Sequence, residues 1–339
     1  MMVRVLAIAM LLLPVLAACR RQPEELKPLE PQLTAEEQRL LHATSIDSTT
    51  MDRLVPPDSI DGADALDTLS AEAWLLVDDA SGTVVSQKNG AERRYMASLT
   101  KMMTALMVIE DGRLGDTVRI TKADCVTHDA RVRPGDSYTT GNLLREMMLV
   151  SDNDAAIALA RHVSGDTVAF AKLMNRKAEY LGMAGTRFDN PNGMPNVNNY
   201  SSARDLLKLT RYAMADSTFA ATVATPTADI PLLDGRHLPC RNTNALLFTY
   251  EGCQGVKTGY TRQAGYCLAS AATRDSTTLV LILLGSKSMA ARFAESATLL
   301  DYGFRAMEAY HKAETHPLAP IWKRLPLERL GKTSRRSFY

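Results

Sequence analysis

The 339-residue sequence predicts an α+β fold: an antiparallel sheet built from N- and C-terminal strands, flanked by helices, with a mostly helical subdomain inserted between them. Three observations predict it. Two short β-rich runs flank Asp-Ala-Ser-Gly within AEAWLLVDDASGTVVSQKN, the pattern of a hairpin. A block of helical periodicity then occupies residues 98 to about 215, and strands return only after about residue 225. With no regular strand–helix alternation, a parallel doubly wound sheet is disfavoured, and a sheet closed from both ends of the chain is the economical arrangement.

Taken in order, MMVRVLAIAMLLLPVLAAC places Arg4 before an apolar run that is short for a bilayer span and carries Pro14, the pattern of a secretory signal over residues 1–18. Leu16-Ala17-Ala18-Cys19 resembles the lipobox of bacterial lipoproteins, which implies cleavage before Cys19, acylation of that residue and attachment to a membrane through lipid. Residues 19–69 are charged, Pro-bearing and rich in Ser, Thr and Asp, and read as a flexible linker, with a helical stretch allowed through TAEEQRLLHAT. The folded domain is expected over 70–312. After the hairpin come an apolar helical run from Leu99 to Ile109, then GNLLREMMLVS, NDAAIALARHV, DTVAFAKLMNRKAEYLG and SARDLLKLTRYAM. RFDNPNGMPNVNNYS, dense in Asn, Pro and Gly, separates the last two as a loop. GVKTGYT and AGYCLASAAT flank a turn, TTLVLILLGS is a third strand, and ARFAESATLLDYGFRAMEAY closes the domain as a helix. Residues 313–339 read as a basic, Pro-interrupted tail.

Composition removes several function classes. With 46% hydrophobic residues the chain can build a sizeable core, and 39 basic against 38 acidic side chains leave no concentrated positive field for nucleic acid. The cysteines other than Cys19 (Cys125, Cys240, Cys253 and Cys267) show no C-x-x-C spacing, and the six histidines form no close pair, so neither a metal nor another cofactor is expected. Export permits a disulfide, with Cys240–Cys253 one option and free buried thiols the other.

The chemistry-bearing stretch is MASLTKMMTALMVIE, which sets one hydroxyl and one amine at the head of an apolar run. In a helix starting near Ser98, positions i and i+3 share a face, so the Lys101 amine can reach the Ser98 oxygen. A serine hydroxyl needs a base, and an amine serves only when its pKa falls from about 10.4 toward neutrality. Burial among Met102, Met103, Leu106 and Met107, or a second ammonium nearby, would push it that way. Two further triplets occur downstream, Ser151-Asp152-Asn153 at the end of a helical run and Lys257-Thr258-Gly259 in a strand run.

S-x-x-K, S-D-N and K-T-G in this order resemble the signature set of the active-site-serine penicillin-binding proteins and β-lactamases. The surroundings YMASLTKMMTALMVIE, LGMAGTRFDNPNGM, YSSARDLLKLTR, NTNALL, GVKTGYTRQAGYCLA and ESATLLDYGF are similar to the low-molecular-mass penicillin-binding proteins, the D-alanyl-D-alanine carboxypeptidases, over roughly residues 70 to 310. The resemblance implies a serine β-lactamase/DD-peptidase-like fold and hydrolysis of the terminal D-Ala-D-Ala bond of peptidoglycan stem peptides. It also implies covalent inhibition by β-lactams and a place in the cell envelope. It implies Ser98 as nucleophile, Lys101 as its base, Ser151 as a proton relay to the leaving amine, and Asn153 as a contact to the substrate carbonyl. Lys257 would keep Lys101 neutral and orient Ser151. Thr258 and Gly259 would present a strand edge to the peptide, and the backbone N–H groups of Ser98 and Tyr260 would form the oxyanion hole. Arg292 would lie near the terminal carboxylate, or else on a helix surface.

The sequence departs from that pattern at Met96, where proline is usual, at Asp152, where this branch usually has glycine and class A β-lactamases have aspartate, and at Thr243, where an arginine is expected although Arg241 is close. The chain also looks too short to add both a second β-rich domain and a C-terminal amphipathic anchor, a place that Cys19 would fill. Three other functions are weighed beside the carboxypeptidase. A D,D-endopeptidase acting on cross-links shares every motif. A β-lactamase would need an E-x-x-L-N loop where the chain offers EYLGM and FDNPNGM. A non-catalytic wall-binding lipoprotein would have no use for three intact motifs.

Overall fold

The structure is a computed structural model and describes residues 60–127 and 131–315. The signal segment, Cys19, the linker up to residue 59 and the tail beyond residue 315 lie outside the described residues. Five strands form one antiparallel sheet: β1 (Ala73–Asp78), β2 (Val84–Lys88), β7 (Cys253–Thr261), β8 (Gly265–Arg274) and β9 (Thr277–Ser286). Their spatial order is β2-β1-β9-β8-β7. The N-terminal hairpin joins the C-terminal strands through β1 on β9, with Ala73 opposite Leu284 and Val77 opposite Val280. The sheet is thus assembled from both ends of the chain, and the fold class is α+β.

Both faces of the central strands are covered, which is why TTLVLILLG reads as a continuous apolar run rather than an alternating one. Ala73, Leu75, Val77, Val280, Ile282 and Leu284 pack toward the helical block. Trp74, Leu76, Leu279, Leu281 and Leu283 pack toward the closing helix α9 (Met289–Glu314), meeting Leu299, Leu300, Ala306 and Met307. Each such leucine contributes about 2 kcal/mol by leaving water. The alternation fixes register as well, because a one-residue slip would exchange the two faces.

The helical block contains α2 (Thr100–Glu110), α3 (Thr140–Val150), α4 (Asn153–Ser164), α5 (Thr167–Tyr180), α6 (Ala203–Met214) and the shorter α7 (Ser217–Val223). Their starts carry the expected chemistry: Asp152, Asp166, Ser202 and Asp216 each accept backbone N–H bonds at an N-cap. Two small hairpins, β3 (Thr117–Arg119) with β4 (Ser137–Thr139) and β5 (Thr227–Pro231) with β6 (His237–Arg241), are additions that periodicity did not announce.

Two domain edges differ from expectation. Residues 60–69 pack on the domain instead of belonging to the linker: Ile60 is buried against the α9 layer, α1 (Ala63–Leu66) lies against that helix, and Arg305 Nε donates to the Asp61 carbonyl at 2.9 Å. At the other end, α9 runs to Glu314, past the residue 312 boundary. The four cysteines Cys125, Cys240, Cys253 and Cys267 are free thiols, so the Cys240–Cys253 pairing is not formed. Their sulfurs turn instead to backbone carbonyls, Cys240 to Leu238 and Cys253 to Gly255.

Candidate active site

Ser98 does not sit inside a helix. Residues Ala97–Leu99 form one 3-10 turn, and α2 begins at Thr100. Ala97 is held at φ 48°, a left-handed conformation that costs an alanine about 1 kcal/mol and turns the chain sharply into the helix. Met96 is fully buried, filling the core beneath that turn. The outcome is a half-buried Ser98 hydroxyl on a turn whose flanking residues are buried.

Lys101, one helical turn on, has no exposed surface. Its Nζ lies 3.1 Å from Ser98 Oγ, 2.7 Å from Asn153 Oδ1 and 2.6 Å from the Asn192 carbonyl. A neutral amine has two N–H donors and one lone pair. Lys101 Nζ is the donor to all three oxygens, and once deprotonated it can keep its bonds to the two carbonyl-type acceptors and leave its lone pair facing Ser98 Oγ. Burial lowers the Lys101 pKa to about 7, against the opposing pull of Asp152 and Glu146. Burial is therefore the cause of its lowered pKa, rather than the neighbouring ammonium that the sequence suggested.

Ser151, Asp152 and Asn153 form the joint between α3 and α4. Ser151 ends α3 in a left-handed conformation (φ 66°), and its hydroxyl has no hydrogen-bond partner among the described residues. Asp152 caps α4: Oδ1 accepts from the N–H groups of Asp154 and Ala155, and Oδ2 from those of Arg131 and Val132. Four backbone donors occupy this carboxylate, which explains the aspartate without giving it a part in bond-making. Asn153 opens α4 and turns its Oδ1 to Lys101.

Lys257, Thr258 and Gly259 lie on β7, the edge of the sheet. Lys257 pairs with Ala269 and Gly259 with Cys267, both residues of the core beneath the helical block, so this face of the strand addresses Ser98. Gly259 is required by close approach: a Cβ there would lie 3.0 Å from Ser98 N and 3.1 Å from the Met96 carbonyl. Lys257 is buried, and its pKa is pushed well down by desolvation and by the charges of Lys101 and Arg292. Its Nζ donates to the Thr258 carbonyl at 3.1 Å, so the expected link to Ser151 is not a direct hydrogen bond in this structure. Tyr260 follows with an exposed ring stacked on Tyr266, centroids 4.2 Å apart.

Arg292 is not a helix-surface residue. It is buried in the first turn of α9, donates from Nη1 to the Gly259 carbonyl at 3.3 Å and lies over the Phe293 ring at 4.4 Å. Burial pushes its pKa down to about 10. Lys257 and Arg292 thus flank Thr258-Gly259 as two buried basic side chains, and neither has a carboxylate partner among the described residues.

Five contributors escaped sequence reasoning. The Asn192 carbonyl supplies one of the Lys101 contacts from within the Asn/Pro loop. Thr104 Oγ1, donating to the Pro191 carbonyl at 2.6 Å, and Asn199 Nδ2, donating to Thr100 Oγ1 at 3.3 Å, lock that loop along α2. Gly193 lets it close: at φ 85°, a Cβ would stand 2.1 Å from the Ala97 carbonyl oxygen and 2.9 Å from Ser98 N. Gly193→Ala is expected to destabilise the fold by roughly 2 kcal/mol or more and to slow acylation, because the loop must withdraw from Lys101. Urea unfolding checks the first effect, and an unchanged midpoint would contradict the close approach. The fifth is Glu146, fully buried on α3, whose carboxyl is raised to about 9 by burial and by Asp152. It is uncharged at neutral pH and so unsuited to activating water there. Glu179, the carboxylate of EYLGM, is exposed at the end of α5.

A sheet-edge K-T-G, a hydroxyl on a tight turn and a desolvated amine in contact with it are the arrangement that the three sequence motifs imply. The D-alanyl-D-alanine carboxypeptidase family model matches residues 61–288, and the chain belongs to that family. It is 31% identical over 255 residues to the D-alanyl-D-alanine carboxypeptidase DacF of Bacillus subtilis, covering 73% of this chain but 64% of that one. A Streptomyces D-alanyl-D-alanine carboxypeptidase is 35% identical, with 70% and 88% covered. Among solved structures, a Streptomyces DD-transpeptidase superposes with a TM-score of 0.65 at 35% identity, covering 70% of this chain and 97% of that one. A Mycobacterium tuberculosis D-alanyl-D-alanine carboxypeptidase gives 0.65 at 33%, with 70% and 91% covered.

Proposed function

We propose that this protein is a serine-type D-alanyl-D-alanine carboxypeptidase that removes the terminal D-alanine from peptidoglycan stem peptides and is acylated by penicillin. One observation carries the reading: Lys101 Nζ, buried and near neutrality in pKa, rests 3.1 Å from the accessible Ser98 oxygen. The Ser98 proton passes to the Lys101 lone pair as Ser98 Oγ bonds to the carbonyl carbon of the penultimate D-alanine. The N–H groups of Ser98 and Tyr260 receive the oxyanion. Collapse breaks the peptide C–N bond, and the departing amine takes a proton by way of Ser151. Asn153, bonded to Lys101, holds the substrate carbonyl, and a water hydrolyses the ester by the reverse proton path.

The buried Arg292 guanidinium, charged at neutral pH and without a counterion, favours a substrate that ends in a carboxylate beside Thr258, and such a carboxylate would in turn favour the protonated form of Lys257, whose pKa burial pushes down. That chemistry favours the free end of a stem peptide over the interior bond of a cross-link. The same requirement is met by the carboxylate of a penicillin. Digestion of purified wall fragments followed by mass spectrometry tests the reaction. Pentapeptide stems should lose a single alanine while cross-linked dimers persist; conversion of dimers to monomers would instead make the protein an endopeptidase.

Export by the segment 1–18 and lipid attachment at Cys19 complete the reading, placing the enzyme in the periplasm or cell envelope, at the membrane, within reach of the wall through its linker. It rests on the lipobox resemblance and on the wall substrate. Cys19→Ser is expected to move the protein from the detergent-extracted membrane fraction to the soluble fraction, and unchanged partitioning would remove the lipid anchor.

A further inference from the structure

Thr243 stands where the family resemblance leads one to expect an arginine, and the structure shows what the smaller residue does. Its side chain oxygen lies 2.6 Å from Thr258 Oγ1. Its backbone N–H donates to the Leu149 carbonyl at 2.9 Å, two residues before Ser151 at the end of α3. One exposed residue therefore braces the K-T-G strand against the S-D-N joint from across the mouth of the site. Arg241 does not substitute for the missing arginine, because its guanidinium is stacked 3.7 Å from the centre of the Phe248 ring.

The direction of the hydroxyl pair matters. A threonine hydroxyl has one proton. When Thr243 donates to Thr258 Oγ1, the Thr258 proton is free to point away from the pair, into the strand edge flanked by Lys257 and Arg292. A hydroxyl that accepts one hydrogen bond is a better donor in the next, so the two act as a short polarised chain. In the opposite direction Thr258 would spend its only proton on Thr243. A carboxylate at the strand edge selects the first arrangement, since it can only accept.

We infer that Thr243 is a positioning residue for carboxylate recognition, orienting and polarising the Thr258 hydroxyl toward the terminal carboxylate of the substrate. The inference rests on the proposed acylation of Ser98, and it deepens that reading by naming what replaces an arginine at this position. A neutral hydroxyl pair in place of a third cation also leaves Lys101 and Lys257 free of additional like charge.

Thr243→Val keeps the β-branch, the size and the backbone bond to Leu149, and removes only the hydroxyl. In the full chain, the second-order rate of acylation by benzylpenicillin should fall about fivefold to tenfold, the loss of one hydrogen bond to a charged group. The rate with the uncharged methyl ester of the same penicillin should stay within about twofold of the parent, and Thr243→Ser should restore the rate with the acid. In a Thr258→Val background, Thr243→Val should have no further effect, because the pair acts as a unit. With a pentapeptide stem the loss should appear in KM and not in kcat, as expected for contact made equally in ground and transition states. An equal loss with acid and ester, an unaltered rate with the acid, or additive losses in the double variant would overturn the inference. Thr243→Ala, smaller and unable to strain the loop, repeats the test should the valine variant unfold. The penicillin measurements do not depend on which peptide bond is cut: if stems are untouched while the acid-specific loss persists, the carboxypeptidase reading fails and the role of Thr243 stands.

Discussion

Ser98→Ala protein is expected to fold as the parent does, to take up no fluorescent penicillin and to release no measurable D-alanine from a pentapeptide stem. The expected fall in turnover is about 10⁴-fold or greater, since removal of the nucleophile from a hydroxyl–base pair leaves only binding and oxyanion stabilisation. Stability should hardly move. The Ser98 oxygen is half-buried on a turn, and its absence still leaves Lys101 Nζ its bonds to Asn153 Oδ1 and the Asn192 carbonyl. A change within about 1 kcal/mol in urea unfolding is therefore expected. Mass spectrometry of the intact protein after incubation with penicillin reads the covalent adduct directly. A label retained on folded Ser98→Ala protein would point to another nucleophile and end the assignment made here for Ser98.

Much of this site was legible because its groups come as local spacings on regular elements. Ser98 and Lys101 are one turn apart, so their meeting needed only the start of a helix, and a 3-10 turn serves as well as the α-helix expected there. Lys257 and Gly259 share a strand face by the period of two, which put both on the side toward Ser98 once β7 was a strand. The sheet was legible for a related reason: a strand buried on both faces has to be continuously apolar, and TTLVLILLG is. What stayed hidden are contacts made by backbone across long stretches of chain. The Asn192 carbonyl reaches Lys101 from 91 positions away, and nothing about an asparagine side chain announces a carbonyl. Gly193 is one of 19 glycines, and only its approach to Ala97 sets it apart. Arg292 could be read as a contact near the terminal carboxylate or as helix surface, and its spacing did not decide between them; its burial follows from α9 docking its first turn over the β7 edge. Residues 60–69 have a linker's composition, yet Ile60 and the short helix after it find an apolar face on α9, which composition alone does not foresee.

Acylation by penicillin should rise as pH increases through about 7, with the base form of Lys101 setting the rate. The sign follows from the chemistry and from linkage together. Burial holds the folded pKa of Lys101 near 7, well below its ordinary 10.5, so protonation both removes the lone pair that accepts the Ser98 proton and charges a group with no access to water. Between about pH 7 and about pH 10.5 the unfolded chain carries a proton at this lysine that the folded chain does not, so this group adds stability as pH rises across that window and opposes folding below it. Glu146 works in the other direction: its carboxyl ionises near 9, and the new negative charge beside Lys101 draws a proton back toward the amine. The rate profile should accordingly climb to a plateau around pH 8 and flatten or fall above about 9. Stopped-flow acylation across that range reads it, and a midpoint near the ordinary lysine value would mean that Lys101 is not the base. Lys101→Met separates the two effects. It should lower acylation by about 10³-fold or more, yet unfold at an equal or higher temperature than the parent at pH 6, because a thioether in this apolar setting needs neither a proton nor a partner. Lost activity accompanied by lost stability at that pH would instead show Lys101 to be chiefly a structural tie between α2, Asn153 and the Asn192 loop.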